Sequence, residues 1–483
     1  MTTVTKVKQT GAAAVNRTVT AKLNERVSVF DYMSAAEITT VKNRTRLLNV
    51  TTAINAAIAA NPKKNIHFPA GDYLYSGGMV LGDNTTISGD GRTTSVLIST
   101  LATPTGGSLV NCSGYGSGIR SMGFNAIVTQ TGGAYVLLNG PESYITDFFM
   151  DYDFQGIIMN GNVSQIHNGR MQTGSPGAIR ITSGGGDNSQ SISNVLMGAQ
   201  TPANSGVAGI RLRNSVALTI HNVSVIQQGA GILIDPTSSA ENVLSLFCSQ
   251  CFFDNCTAPI RIEPTGGAAV NRCYFTDVWA SSGVNGVTIV GSGGTVKGIH
   301  FTGLQSNLNV GSAVTTGANV SQLYFDNCTM SGNGYGMYLN QPINGLVVSN
   351  SRIGNFDDFS NNTNQAIVFA AGGFSNVQIT GNNFTGNSAA IAGAGNLGSL
   401  SRIEGNIAYN PVGGSAMTVG ASPYTYTAGP SPETVYVAGG TVSNLVHNGV
   451  VVFTATDKTI NLGPNETLQV IYTVAPFMNK VIH

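Results

Sequence analysis

The sequence predicts an all-β chain organised as a right-handed parallel β-helix, a solenoid of about 10–13 coils. An N-terminal helical cap precedes it and a small C-terminal β-sandwich follows. Two periodicities and one compositional feature predict this. The segments Gly209-Ile210-Arg211-Leu212-Arg213, Gly231-Ile232-Leu233-Ile234-Asp235-Pro236-Thr237 and Pro259-Ile260-Arg261-Ile262-Glu263-Pro264-Thr265 share one pattern: a small residue or proline, then apolar, variable, apolar, polar. A second phrase recurs as Ile166-His167-Asn168, Ile192-Ser193-Asn194, Ile220-His221-Asn222, Phe325-Asp326-Asn327 and Val348-Ser349-Asn350. The 182 residues from Asn168 to Asn350, taken as roughly seven turns, give a period of about 26, within the solenoid range, and strand alternation has period two inside it. Helical repeats would need long apolar runs at 3.6 spacing, and residues 157–411 have none. Third, 61 glycines and a charged fraction of only 10% suit a chain of many tight turns.

The alternation assigns directions. Ile210, Leu212, Ile232, Ile234, Ile260 and Ile262 point inward and stack coil on coil, each coil rising about 4.8 Å. Asn168, Asn194, Asn222, Asn327 and Asn350 are expected to stack at a bend, because asparagine tolerates left-handed backbone and its amide can bond to the next one. Phe252, Phe253, Phe275, Phe301 and Phe325 fall near the same corner and form a candidate ring stack.

In chain order, residues 1–30 are polar and too short for a core of their own, so they read as an arm that gains order from a partner. Its run Gly11–Leu23 fits a short helix or an extended segment. Residues 31–75 hold the cap and the entry strands. Val27–Met33 is expected as a short strand, Thr51–Ala60 as a helix with Ile54 and Ile58 on one face, and Ile66–Leu74 as strand, turn and strand. Residues 76–411 are the coils. Residues 412–483 are the C-terminal β domain: Pro423, Pro430 and Pro432 read as a linker, strands follow from Val435, and Asn448-Gly449 signals a hairpin. A sandwich of about 55 residues is near the lower limit for standing alone, which favours trimerisation or packing on the last coil.

The net charge of zero argues against nucleic acid as a partner. No run of 18 apolar residues indicates membrane insertion, and Met1–Lys6 lacks the apolar core of a signal peptide. The six cysteines read as small thiols packed in the interior rather than metal ligands, so no metal and no cofactor is expected.

Ser28-Val29-Phe30-Asp31-Tyr32-Met33, the alanine-rich helix ending at Ala60 and His67-Phe68-Pro69-Ala70-Gly71-Asp72-Tyr73 resemble the opening of bacteriophage tailspikes of the pectate-lyase-like β-helix family. There an amphipathic helix caps the first coil, covering a sheet edge that would otherwise aggregate. The run Ala13–Leu23 resembles the head-binding arm of such proteins, and the segment 422–442 a C-terminal module of phage and secreted β-helices. The Gly-Asp-Gly phrase of many relatives is replaced by the insert Ser34–Asn49. The resemblance implies a homotrimer on the virion, assembled in the bacterial host cytoplasm. It would be held to a phage tail or adaptor protein through residues 1–30 and bind a bacterial capsule or O-antigen polysaccharide. Many members also degrade that glycan.

The residues offer several sites for such chemistry. Aligned by their apolar pairs, one outer column reads Arg180, Arg211, Leu233, Arg261 and its neighbour Thr182, Arg213, Asp235, Glu263. Asp235 and Glu263 therefore occupy equivalent places on consecutive coils, with backbones roughly 5 Å apart. Paired carboxylates suit glycosidic hydrolysis, one protonating the leaving oxygen while the other attacks the anomeric carbon or activates water. Arg180, Arg211, Arg213 and Arg261 could bind an acidic sugar. The competing reading is an Arg–carboxylate ladder that ties coils together. Glu142, Asp147, Asp151 and Asp153, with Tyr144 and Tyr152, form a second candidate groove or a solvated acidic loop. His167 and His221 share a column, with His300 beyond them, and could serve a lyase. Asp357-Asp358 marks a third place, in an irregular loop. No Gly-x-Ser-x-Gly elbow, phosphate loop or zinc-protease phrase is present. The expectation is a polysaccharide depolymerase acting by hydrolysis; a non-catalytic adhesin spike and a polysaccharide lyase stand as alternatives.

Overall fold

The computed structural model describes residues 6–7, 17–18, 27–152, 155–173, 179–182, 189–199, 208–355, 359–398 and 400–483. It is a parallel β-solenoid of about 12 turns, and the chain divides into two compact units, Met1–Leu233 and Ile234–His483. Of the N-terminal arm, Lys6–Val7 pairs antiparallel with Arg17–Thr18. The rest of the run Gly11–Leu23 lies outside the described residues.

In the first unit the cap differs from expectation at two points. The strand at Val27 is only two residues long, because Ser28 and Asp31 form a reciprocal capping box that starts a 3-10 turn, Val29–Tyr32. The insert after Ser34 is a helix, α1 (Ala35–Lys42), opened by a second capping box between Ser34 and Glu37. The expected helix, α2, runs Thr51–Ala60 and buries Ile54 and Ile58. The chain after α1 then clamps the entry strand: Arg44 and Arg46 reach Asp72 at 2.5 and 2.8 Å, and Asp72 is only 3% exposed.

From there one parallel ladder runs through Asn65–Phe68, Thr86–Gly89, Gly118–Ala126, Tyr144–Tyr152, Gln165–Thr173, Ser191–Ala199 and Thr219–Ile226. Its register places isoleucine in one inward column on every coil: Ile66, Ile87, Ile119, Ile145, Ile166, Ile192 and Ile220. All are fully buried. A β-branched chain is stiff at χ1 and fills a pleated surface well, so each coil presents the same shape to the next. A second ladder, Gly77–Leu81 through Ala208–Val216, stacks Met79, Val110, Val136, Ile157, Ile179 and Ile210 in the same way.

In the second unit the ladder Ala269–Thr276, Thr295–Thr302, Val320–Asp326, Asn344–Ser349, Ser375–Thr380 and Arg402–Glu404 is likewise parallel. Ile234, Ile260 and Ile262 are fully buried, as is Ile232 of the first unit, as their alternation predicts. Phe275, Phe301 and Phe325 form a buried stack with centroids 4.8 and 5.1 Å apart. Phe253 is buried opposite Ala280, and Phe252 stacks outside the core on Trp279.

The asparagine stack expected at one bend is two structures. Asn168, Asn194 and Asn222 lie inside their strands at φ of 53, 55 and 51°, and their amides chain together at 3.1 and 2.8 Å. Asn327 and Asn350 instead follow their strands, at another bend shared with Asp277, Gly303 and Gly381. Both bends need left-handed backbone, so both select asparagine or glycine and look alike in sequence. A further ladder has three buried members: Asn309, Asn333 and Asn362 link to one another and to the half-buried Asn387 by amide bonds of 2.9, 3.2 and 3.0 Å. These amides also satisfy backbone groups of the turns, such as the Ser306 carbonyl.

Two four-stranded antiparallel sheets end the chain. Val435, Leu445, Ile460, Leu468 and Val470 form their common core. The sandwich is larger than expected. It takes in Gly413–Met417 and Phe477–Ile482, and the proline patch read as a linker holds the strand Tyr424–Thr427. The hairpin at Asn448-Gly449 is present, with φ of 48 and 83°. The sandwich docks on the last coil through Ile403 N–H to the Pro430 carbonyl and Asn465 Nδ2 to the Ser401 carbonyl.

Candidate functional site

Asp235 follows the strand Ala230–Ile234, and Glu263 follows Ala258–Ile262. The Glu263 amide donates to the Ile234 carbonyl at 2.8 Å, and the Thr265 amide to the Pro236 carbonyl at 2.9 Å. In a parallel pair these bonds set Asp235 and Glu263 side by side on adjoining coils. Both side chains are half-buried. Glu263 is engaged: Arg261 Nε lies 2.7 Å from its Oε1, two residues back on the same strand face. The pair Arg402–Glu404, with the same spacing and a 2.5 Å contact, repeats this arrangement far along the chain.

The expected arginine column is present in part. Arg180 and Arg211 face each other across neighbouring strands of the first unit. Arg213 does not align with Thr182; a register shift after Ile181 puts Asn214 there instead. A bulge of this kind re-aims every later side chain on the strand.

The acidic segment is a strand, Tyr144–Tyr152, rather than a loop. Its groups are spread along it. Glu142 stands in the preceding turn and raises the titration of the Tyr115 hydroxyl through a hydrogen bond. Asp147 accepts from Ser121 Oγ at 2.7 Å. Asp151, near the other end, aligns with Gln172. Tyr144 takes Arg120 over its ring and at its hydroxyl, 2.9 Å from Nε. Asp153 lies outside the described residues, as do Asp357 and Asp358.

His167, Ser193 and His221 share one column, as expected. His167 Nδ1 is 2.5 Å from Ser193 Oγ, and burial lowers its proton affinity. His300 belongs to a different row, and that row is what the sequence reading missed. Phe247, Tyr274, His300 and Tyr324 are in register on successive coils. Their rings stack at 5.4, 4.8 and 4.2 Å, with planes within 7, 22 and 7°. Beside this row Phe252 stacks on Trp279 at 5.4 Å. Because the faces cover one another, ring edges point outward, carrying the Tyr274 and Tyr324 hydroxyls and the His300 nitrogens. The signal was in the sequence: each outward ring directly precedes a core phenylalanine in Tyr274-Phe275, His300-Phe301 and Tyr324-Phe325. Aromatic bodies with polar tips, next to Asp326 two residues on from Tyr324, suit contact with a polyhydroxylated ligand.

All six cysteines are buried and outside any disulfide, and burial pushes the thiols of Cys112, Cys273 and Cys328 up to about 12. Such thiols are inert packing groups. Among the described residues, no cluster of His, Cys, Asp and Glu has metal-binding geometry, and no helix is long and apolar enough to cross a membrane.

The family model of the right-handed β-helix region matches residues 208–408, and that of the pectate-lyase-like rhamnogalacturonase A/epimerase family matches residues 45–262. No curated protein matches the chain in sequence. Among solved structures, a variant tailspike protein of E. coli bacteriophage HK620 in complex with a pentasaccharide is 12% identical, with a TM-score of 0.58 over 99% of this chain and 97% of that one. Another variant of the same tailspike is 11% identical with a TM-score of 0.54, and a complex with a hexasaccharide is 12% identical with a TM-score of 0.52, both over the same shares. The solenoid is thus a right-handed parallel β-helix, and the chain has the fold of phage tailspike proteins.

Proposed function

We propose that this chain is a tailspike subunit that binds a bacterial surface polysaccharide along its β-helix and cleaves it by glycosidic hydrolysis. Asp235 and Glu263 act as the two carboxylates. The observation that carries this reading is the backbone register that sets those residues side by side on adjoining coils, in a fold that tailspikes in oligosaccharide complexes share. In the reaction the C–O bond to the leaving sugar breaks, and one carboxyl group gives its proton to the departing oxygen. The other bonds to the anomeric carbon, and water later displaces it. A one-coil backbone separation of about 5 Å favours this double displacement, and hence retained configuration. Residues 1–30 carry the attachment to the phage tail, and three copies assemble in the host cytoplasm before joining the virion.

The test is incubation of the purified protein with capsule and O-antigen from a panel of bacteria. New reducing ends without unsaturated-uronate absorbance are expected, and Asp235→Asn with Glu263→Gln abolishes them while binding persists. If the double variant still shortens the glycan, those carboxylates are excluded. Absorbance of the unsaturated product would instead point to elimination.

One observation favours a second reading, a spike that only adheres. The Arg261–Glu263 pair recurs as Arg402–Glu404, as a structural ion pair within one coil would. That reading expects saturable binding and no shortened chains.

A further inference from the structure

The second unit holds an open cavity of about 650 Å³ lined by Asn271, Thr295, Lys297, Asn319, Ser321 and Gln341. Asn271, Lys297 and Ser321 are in register on three successive coils, so their side chains form an outward row at the solenoid repeat. Lys297 is exposed, and among the described residues no carboxylate pairs with it. An ammonium among amides and hydroxyls is a site for an anion that also carries hydrogen-bonding groups. Three residues further along the same strands stand Tyr274, His300 and Tyr324, the edge-on ring row.

We infer that this cavity seats an acidic sugar residue of the bound glycan, with Lys297 Nζ on the sugar carboxylate. Asn271, Ser321 and Gln341 meet its hydroxyls, and the adjoining sugars run over the edges of Tyr274, His300 and Tyr324. This rests on the polysaccharide reading above and narrows it to glycans bearing uronate- or sialate-type residues. Neither the carboxylate pair nor the arginine column is needed for it. The chemistry is specific: a point charge on a flexible stem suits a single carboxylate, while neighbouring amides discriminate hydroxyl positions.

The experiment measures binding of the whole protein to immobilised bacterial glycans, neutral and carboxylate-bearing, at 50 and 500 mM salt, an exposed-charge contact being screened at the higher value. Inorganic phosphate is added as a competitor. Wild type, Lys297→Gln and Lys297→Arg are compared after melting curves establish that all three fold. Preference for carboxylate glycans is expected, with roughly a tenfold or greater loss in Lys297→Gln, corresponding to about 1.4 kcal/mol. Lys297→Arg should retain most binding. Displacement by phosphate at equal concentration would overturn the carboxylate assignment. Binding of neutral glycans alone, or acidic binding indifferent to Lys297, would overturn the inference and leave the polysaccharide reading standing. Binding to no glycan on the panel would overturn both.

Discussion

His300 lies face to face with Tyr324, ring centroids 4.2 Å apart and planes within 7°. Burial lowers the proton affinity of His300 as it does that of His167. A histidine with a depressed folded-state value contributes stability that is present in full above the unfolded value, about pH 6.5, and is lost as the pH falls through the lower value. Wild type should therefore lose more thermal stability between pH 8 and pH 5 than a His167→Gln/His300→Phe double variant, in which the ring stack is kept. Equal losses in both proteins would mean that other groups govern the acid limb.

Tyr274 stands between Phe247 and His300, so it makes two ring contacts. Tyr274→Ala removes both and should destabilise by about 1–3 kcal/mol, at about 0.5–1.5 per pair. Tyr274→Phe keeps the stack and deletes only the outward hydroxyl. If the row contacts glycan, Tyr274→Phe weakens binding without moving the melting temperature. If the row is purely structural, only Tyr274→Ala has an effect.

These rings show what was legible in the sequence and what was not. Inward positions were readable because alternation forces them: Ile210, Leu212, Ile234 and Ile262 could only face the core. The outward column with Tyr274 and His300 was missed because successive members differ in type and share only ring shape, although each precedes a core phenylalanine. The helix α1 was readable from Ser34 and Glu37, but the eight residues Ala35–Lys42 lack a strong apolar stripe. The bends at Asn168 and Asn327 were merged, because both select residues by backbone conformation and not by position. The shift that moves Arg213 off its column leaves no mark on the apolar pattern, so the register of Asp235 with Glu263 was recoverable and that of Thr182 with Arg213 was not.

The Asp72 clamp makes the N-terminal cap sensitive to charge. Replacing both Arg44 and Arg46 by alanine leaves a carboxylate that is 3% exposed without its cations. The expected cost is about 3 kcal/mol, since an uncompensated buried charge is penalised more than the pair is rewarded. Adding Asp72→Asn to that variant should recover much of the loss, and a thermal melt of the three proteins checks it. A triple variant no more stable than the double would show that the arginines act by packing alone.

The buried asparagines should respond differently from the exposed ones. Asn333→Ala strips partners from the Asn309 amide and the Ser306 carbonyl, and should cost about 3 kcal/mol or more. Asn194→Gly removes two exposed amide bonds but keeps the left-handed backbone accessible, so the cost should stay under about 1 kcal/mol. Denaturant midpoints of the two variants give the ordering, and a reversed order would contradict this account of the ladders.

The paired contacts Arg261–Glu263 and Arg402–Glu404 supply an internal control for catalysis. Both join residues two apart on one strand face, with arginine 47 and 55% exposed. Exposed pairs of this kind contribute about 0–1 kcal/mol, so Arg261→Ala and Arg402→Ala should have similarly small effects on stability. Their effects on activity should separate. Arg261 orients one of the proposed reacting carboxylates, and its loss should lower the rate of glycan cleavage by roughly 10–100-fold, the scale of misplacing a reacting group. Arg402 stands on a later coil, and its loss should leave that rate unchanged. Cleavage rates of the two variants on the same glycan decide the matter: parallel behaviour would assign both pairs a structural role within their own coils and remove Glu263 from the reaction.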